Sequence, residues 1–256
     1  MRTAIISDIH GNLEALRVVL ADIDARSVDR VVCLGDVLGY GPDPVACADL
    51  VAERCEWCLM GNHDFGVLYE PTNFNLAAEQ AVYWTRRQFD AEADDGAKSR
   101  RLEFLNQLRV RVAFDEFVCV HASPRRPINE YVFPEDAMNS PNKMKQIFDW
   151  IPKYCLCGHT HVPGVFTDEP DFYPPGDLDG VYALNDREKV IINPGAVGQP
   201  RDYDPRASYA ILDDEAGDAG TVEFLRLEYD VDAVVERIKS IPELSDWLGE
   251  RLREGR

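Results

Sequence analysis

Only 5 histidines occur in the 256 residues, and each follows an apolar or cysteine-containing run: His10, His63, His121, His159 and His161. They sit among Gly, Asn, Asp or Ser, and none lies in an amphipathic helix pattern where a structural imidazole would hide. Near the start, residues 3–6 read as a short buried strand, and Asp8 and His10 follow it two positions apart. An extended backbone with that spacing points both side chains the same way. A carboxylate and an imidazole leaving one strand end together form a natural pair of metal ligands. The plainer reading of this stretch alone is an Asp capping a turn with a His bonded beside it. Five histidines at predicted strand ends favour a single site assembled from several loops.

The elements that must position these groups alternate in the βαβ manner through the first half. A strand over 3–7 leads to a helix over 13–25 with Asn12 as its cap, then a strand over 31–34, a helix from Pro44 to about 54, and a strand over 57–60. Such alternation implies parallel strands with helices on their faces, and ligands then gather outside the carboxyl ends of the strands. Residues 75–108 read as two helical pieces broken near Asp94-Asp95-Gly96. Strands are predicted over 110–114, 117–121, 154–157, 163–167, 180–184, 189–192, 208–212 and 221–228, with a helix near 139–149. The proline-rich run 168–178 is expected to be a surface loop. The tail from Asp230 is amphipathic (Val234, Val235, Ile238, Leu244, Trp247, Leu248), which suits packing or a homo-oligomer face rather than chemistry. No repeat or linker is visible, so a single domain over 1–256 is expected.

Composition narrows the function classes. Hydrophobic residues make up 45% and charged residues 29%, as in ordinary globular chains. The opening residues are too polar for a signal peptide and no apolar run is long enough to span a membrane, which suggests a cytoplasmic protein. A net charge of −19 argues against affinity for duplex nucleic acid or anionic lipid. A small phosphorylated substrate stays open, because a metal site can reverse the sign locally. The 7 cysteines lack the paired C-x-x-C spacing of a zinc ribbon and read mainly as small core side chains.

Collected in order, the motifs are Asp8-x-His10, Gly35-Asp36-x-x-Gly39, Gly61-Asn62-His63-Asp64, His121-Ala122-Ser123 and Gly158-His159-Thr160-His161. Each alone is weak; five in this order, each after a strand, are specific. The chain resembles the calcineurin-like metallophosphoesterases over most of its length, and more narrowly their small bacterial and archaeal phosphodiesterase branch. The runs Asn193–Asp202 and His121–Arg125 resemble later motifs of that branch, with Ala122 standing where the family usually has Gly. The resemblance implies an α/β fold of two facing mixed β-sheets flanked by helices, with the site at the carboxyl ends of the strands. It also implies two divalent metal ions. Asp8, His10 and His161 would hold the first, Asn62, His121 and His159 the second, and Asp36 would bridge them. Oxygen and nitrogen ligands without thiolate suit Mn²⁺, Fe, Ni²⁺ or Zn²⁺ better than Ca²⁺, with Mn²⁺ ranked first. His159 and His161, two apart on an extended segment, would each serve a different ion.

Electrostatics explain how such a site takes phosphate inside an acidic protein. Two divalent ions bring four positive charges, Asp8 and Asp36 offset two and a bridging hydroxide one, leaving roughly +1 in a poorly screened cleft. The expected reaction is in-line attack by that hydroxide on phosphorus, with His63 protonating the departing oxygen and Asp64 orienting the His63 ring. Arg125, Arg126 and Arg201 are candidates for holding distal phosphates of the substrate, since guanidinium pairs bidentately with phosphate. Asn193 and Gly195 are expected to shape their turn rather than touch substrate. The substrate class is then a small phosphodiester, a nucleotide or a dinucleoside polyphosphate. A protein Ser/Thr phosphatase of the same fold ranks lower because the insertions are short. A non-catalytic protein-binding scaffold should show eroded ligands, and none is missing. A Rossmann nucleotide binder is disfavoured because the first βα turn lacks G-x-G-x-x-G.

Overall fold

The computed structural model describes residues 1–217 and 219–256. Twelve strands are arranged among them: β1 (Arg2–Ile6), β2 (Arg30–Cys33), β3 (Trp57–Cys58), β4 (Arg111–Phe114), β5 (Phe117–Val120), β6 (Tyr154–Leu156), β7 (Gly164–Thr167), β8 (Asp171–Tyr173), β9 (Val181–Ala183), β10 (Val190–Asn193), β11 (Ala207–Asp213) and β12 (Thr221–Leu227). They form two mixed six-stranded sheets, in the orders β3-β2-β1-β11-β12-β9 and β4-β5-β6-β10-β7-β8. In the first, β1, β2 and β3 run parallel. In the second, β5, β6 and β10 do so. Each sheet therefore brings a run of parallel strand ends, and the loops that follow them, to one edge.

Residue alternation explains how the sheets face each other. Ala4 and Ile6 point to the helices over Leu13–Ala25 and Pro44–Arg54, while Ile5 between them points to the other sheet. Val31 and Cys33 against Val32 and Leu34 repeat the pattern on β2. On the second sheet Phe117 and Cys119 face inward, and Val118 and Val120 pack outward on the helix Pro141–Phe148. Strands buried on both faces must be apolar throughout, which is why these segments read as continuous runs rather than as alternation. The result is a helix–sheet–sheet–helix sandwich.

Several expected boundaries are corrected. The 168–178 run is not wholly irregular. Asp171–Tyr173 pairs antiparallel with β7 as the edge strand of its sheet, and a 3₁₀ turn follows over Pro175–Leu178. Its prolines lie outside the three paired residues, so the ladder loses no donor. Residues 61–64, expected as loop, open a short helix, Asn62–Leu68, that is too brief to show a period. The helix expected near 139–149 is preceded by a separate turn of helix over Asp136–Asn139. Asn12 does cap its helix, its Oδ1 accepting the Ala15 N–H at 3.1 Å. No helix among the described residues is long and apolar enough to cross a membrane.

The tail packs inward. Val234, Ile238, Leu244, Leu248 and Leu252 form a cluster with Ala78, Ala81, Trp84 and Tyr40. Leu248 is fully buried there. Truncation of a buried Leu to Ala usually costs about 2–5 kcal/mol. Leu248→Ala should therefore lower stability by about that amount in equilibrium urea unfolding; a loss below about 0.5 kcal/mol, ordinary for a surface change, would show the tail to be only loosely attached.

Candidate metal centre

Seven side chains from five loops converge where the parallel strands end. Asp8 and His10 follow β1, Asp36 follows β2, Asn62 follows β3, His121 follows β5, and His159 and His161 follow β6. Ligand atoms of Asp8, His10, Asp36 and His161 lie within 4.8 Å of one another, and so do those of Asp36, His121 and His159. Asp36 belongs to both groups. Its Oδ2 stands 3.6 Å from His10 Nε2 and 3.3 Å from His121 Nε2, while its Oδ1 accepts the His63 N–H at 2.8 Å.

The two-apart spacing of Asp8-x-His10 and His159-x-His161 works differently from the expected extended backbone. All four residues have positive φ, 55° and 49° in the first pair and 64° and 63° in the second, and Asp36 has φ 53°. A non-glycine residue in the left-handed region costs roughly 1–3 kcal/mol, so strain is concentrated on the ligands themselves. Alternate left-handed residues fold each strand end back on itself, and that folding rather than pleating converges the side chains. The kinks are held from outside: Asp8 N–H donates to Gly35 carbonyl at 3.0 Å and His10 N–H to Asp36 carbonyl at 2.9 Å.

Hydrogen bonds behind the rings set which nitrogen faces inward. His10 Nδ1 lies 3.1 Å from the Leu38 carbonyl, His121 Nδ1 lies 2.9 Å from the Leu34 carbonyl, and His161 Nδ1 contacts the Gln199 carbonyl. A carbonyl only accepts, so each Nδ1 carries a proton and Nε2 is the nitrogen that each ring turns to the centre. His10 Nε2 and His161 Nε2 then face each other at 3.3 Å. Two lone pairs at that distance repel unless something positive sits beside both. On the other side, Asn62 Oδ1, His121 Nε2 and His159 Nε2 are buried without a hydrogen-bond partner. Unpaired buried polar atoms are costly and rare, and these three are the expected ligands of the second ion. The donor set thus fits two cations.

Charge tells the same story. Burial raises the pKa of Asp8 and Asp36, yet the surrounding imidazoles outweigh it and hold both carboxyls well below their usual range. Burial pulls His121 down, but the charge of Asp36, whose Oδ2 stands 3.3 Å from Nε2, with Asp8 behind, carries it up to about 10. Burial dominates at His10, His159 and His161 and keeps them neutral, with His159 pushed down to about 3. A proton on one ring stands where a cation would serve better.

Two of the motif glycines are explained by contact. A Cβ on Gly61 would fall 2.0 Å from Asp36 Oδ1, and one on Gly39 would fall 2.4 Å from His63 Nδ1. Ala122 is buried and bonds Pro127 carbonyl through its N–H at 2.8 Å, so the departure from Gly requires no left-handed residue. Asn193 shapes its turn as expected, bonding Gly158 carbonyl at 2.8 Å and accepting the Gly195 N–H at 2.9 Å.

Residues 1–217 match the calcineurin-like phosphoesterase superfamily domain. The chain belongs to that superfamily. It is 37% identical to an uncharacterized protein of Methanocaldococcus jannaschii over 263 residues, covering 99% of this chain and 98% of the relative. A crystal structure of a metallophosphoesterase from Sphaerobacter thermophilus superposes with a TM-score of 0.83 at 36% identity, covering 100% and 99% of the two chains. A hypothetical protein from Pyrococcus horikoshii shares the fold, with a TM-score of 0.74 at 17% identity, covering 100% and 98%. This phosphoesterase is accordingly a metal-dependent hydrolase, and the converging ligands are its candidate metal-binding cluster.

Other expected site residues fall elsewhere. Asp64 does not orient His63: its oxygens accept the N–H groups of Asp36 at 2.8 Å, Gly61 at 3.0 Å and Leu38 at 3.1 Å. Those three donors counter the burial and the Asp36 charge, which together carry the Asp64 carboxyl up to about 7. Asp64 is thus the brace of the Asp36 loop. His63 is positioned by rings instead, stacked 4.6 Å from Phe74 and lying 4.3 Å from Tyr40, with burial pushing it down to about 4. Arg125 is already engaged by Glu130, at 2.6 and 2.8 Å, and by Gln146, which speaks against the expected phosphate role. Arg126 is exposed and bonds Ser123 through its backbone. Arg201 stays at the centre: its backbone N–H reaches His161 carbonyl at 3.4 Å, and its charge bears on His63 and His161.

Two rings escaped sequence reading. Tyr131 stacks on His159 with centroids 3.9 Å apart, and Tyr40 lies 4.7 Å from His10. Tyr40 sits between the motif glycines Gly39 and Gly41 and could have been noticed there; Tyr131 stands in an irregular stretch with no signal.

Asp36→Asn removes the shared charge, so elemental analysis of the purified protein should show at least one metal equivalent lost per chain. Retention of both ions would contradict the bridge.

Proposed function

We propose that this phosphoesterase hydrolyses a small phosphodiester, nucleotide or dinucleoside polyphosphate at a centre of two divalent ions, with Mn²⁺ the first choice. The observation that carries the reading is the sharing of Asp36 Oδ2 between the two ligand groups, with three orphaned atoms completing the second. Asp8, His10 and His161 would hold one ion, Asn62, His121 and His159 the other, and Asp36 both. When bound, the ions would supply Lewis acidity at phosphorus and a water of lowered pKa. Leu38, Leu34 and Gln199 carbonyls orient the imidazoles so that Nε2 is the nitrogen that would face an ion. The complete ligand set favours an enzyme over a scaffold.

The chain's own contribution to the leaving group is His63. Its Nδ1 is buried against Gly39 without a partner, so Nε2 is the nitrogen left for substrate. A ring whose pKa is held near 4 by burial is neutral in the free cleft. An anionic phosphate beside it favours the protonated form, so substrate itself would load the proton that Nε2 delivers to the departing oxygen. Arg201 would hold a phosphate oxygen at the rim.

Chelation should abolish hydrolysis of bis-p-nitrophenyl phosphate, and added Mn²⁺ should restore it with about two equivalents bound; full activity in the chelated, metal-free protein would overturn the reading. His63→Ala should slow an alkyl ester, whose alkoxide needs a proton, by about 10²–10⁴-fold and a nitrophenyl ester far less. Equal losses on the two esters would remove the acid role.

A further inference from the structure

Sequence patterning assigns the tail to packing or a homo-oligomer face, yet its last turn, Arg251–Glu254, docks beside the loop that follows the metal ligands. That turn is fastened to the loop carrying Arg201. Tyr203 N–H donates to the Gly255 carbonyl at 2.9 Å, and the Arg256 guanidinium lies 5.2 Å from the Tyr203 ring centroid. Gly255 has φ 63°, and a Cβ there would fall 2.5 Å from Asp204 N. Docked this way, Arg251 comes within electrostatic range of Arg201, Tyr40 and Tyr131.

The surroundings of this pair are unusual for so acidic a chain. With 46 Asp and Glu against 27 Lys and Arg, a carboxylate is the ordinary neighbour of a guanidinium. Arg253 follows that rule, pairing with Asp232 and Glu250 at 2.7 Å each. Among the described residues, Arg201 and Arg251 form no ion pair. Arg201 bonds the neutral Gln199 Oε1 at 2.8 Å, and Arg251 bonds the main-chain oxygen of Arg256 and lies 4.4 Å over the Trp247 ring. Both are half-buried. Burial first, and then the Arg201 charge, draw Arg251 down to about 10. Two half-buried guanidiniums that repel each other, neither paired with an Asp or Glu side chain among the described residues, are arranged for an anion that arrives.

Its location says which anion. Arg201 Cζ lies 6.0 Å from the Tyr40 ring centroid, and the same ring lies 4.7 Å from His10 and 4.3 Å from His63. Arg201 therefore stands one ring away from the metal ligands, where a phosphate linked to the one under attack would lie. We propose that Arg201 and Arg251 together form a second anion subsite that takes the distal phosphate of a polyphosphate chain, so that the preferred substrate carries two or more linked phosphates. This rests on the phosphoesterase reading above and narrows its substrate class.

The test compares wild type, Arg251→Met, which keeps the stem on Trp247, and Arg251→Lys, which keeps the charge but loses the fork. Calorimetry on the Mn²⁺-loaded proteins would measure binding of inorganic tripolyphosphate and of orthophosphate. Kinetics would measure KM for diadenosine tetraphosphate and for bis-p-nitrophenyl phosphate. The expected result is that Arg251→Met weakens tripolyphosphate by about ten-fold more than orthophosphate, the size of a lost charge-assisted contact, with the same bias between the two KM values and an intermediate effect for Arg251→Lys. Equal effects on both members of each pair, or none, would overturn the subsite. Thermal melts identify a variant that has unfolded; if Arg251→Met does, Arg251→Lys decides by the same comparison. If wild type hydrolyses neither ester while tripolyphosphate binding still depends on Arg251, the phosphoesterase reading fails and the subsite stands.

Discussion

Two carboxylates buried among imidazole lone pairs are the constraint around which this chain is built. Asp8 and Asp36 are almost wholly excluded from water. His10 and His161, neutral and with their outer nitrogens committed to carbonyls, meet those carboxylates with lone pairs. An anionic, electron-rich pocket of this kind is unfavourable on its own, since burying charge without a counter-charge costs several kcal/mol or more. Only cations satisfy all the groups at once. The raised pKa of His121 is the sign of that demand: in the free site a proton is retained where positive charge is wanted.

The scaffold meets the demand by trading backbone comfort for convergence. Positive φ at Asp8, His10, Asp36, Tyr40, His159 and His161 means that most of the centre is presented from left-handed residues. Such residues persist only when their surroundings over-determine them. The surroundings here are two sheets with interleaved apolar faces and cross-loop hydrogen bonds, such as Gly11 N–H to Val37 carbonyl and Gly158 N–H to His121 carbonyl. Asp64 belongs to the same support. By gathering the N–H groups of three residues from two loops, it fixes the turn that presents Asp36.

What could be read from the residues alone follows from this division. Ligand identity was legible because coordination demands particular residue types, and parallel strands demand that those types appear directly after apolar runs. The way they converge was not, because a left-handed Asp or His carries no mark in the sequence and the extended alternative has the same spacing. The helix over Asn62–Leu68 and the three-residue edge strand β8 were hidden by their brevity. Arg125 was misread because its partner, Glu130, lies across an irregular turn that pattern arguments do not reach. Arg251 was invisible for a simpler reason. Its proximity to Arg201 depends on how the last turn docks, and amphipathic periodicity describes only the face that packs.

The opposing signs of the whole and of the cleft then acquire a reason. A surface carrying a net charge of −19 repels anionic polymers and membranes at long range, while salt screens that repulsion beyond about 8–10 Å. A small phosphate ester diffusing to the rim therefore feels mainly what lies within a few residues of the opening. There, among the described residues, Arg201 and Arg251 have no Asp or Glu partner, and Tyr40 and Tyr131 lie against the ligand histidines. In the reading proposed here, unpaired positive charge is concentrated where phosphate would be held, at the ions and the paired guanidiniums, while arginines such as Arg101, Arg125 and Arg253 are matched by carboxylates. Discrimination against large polyanions and attraction of small ones need no separate devices, because both follow from how sharply the sign of the potential changes at the mouth of the cleft.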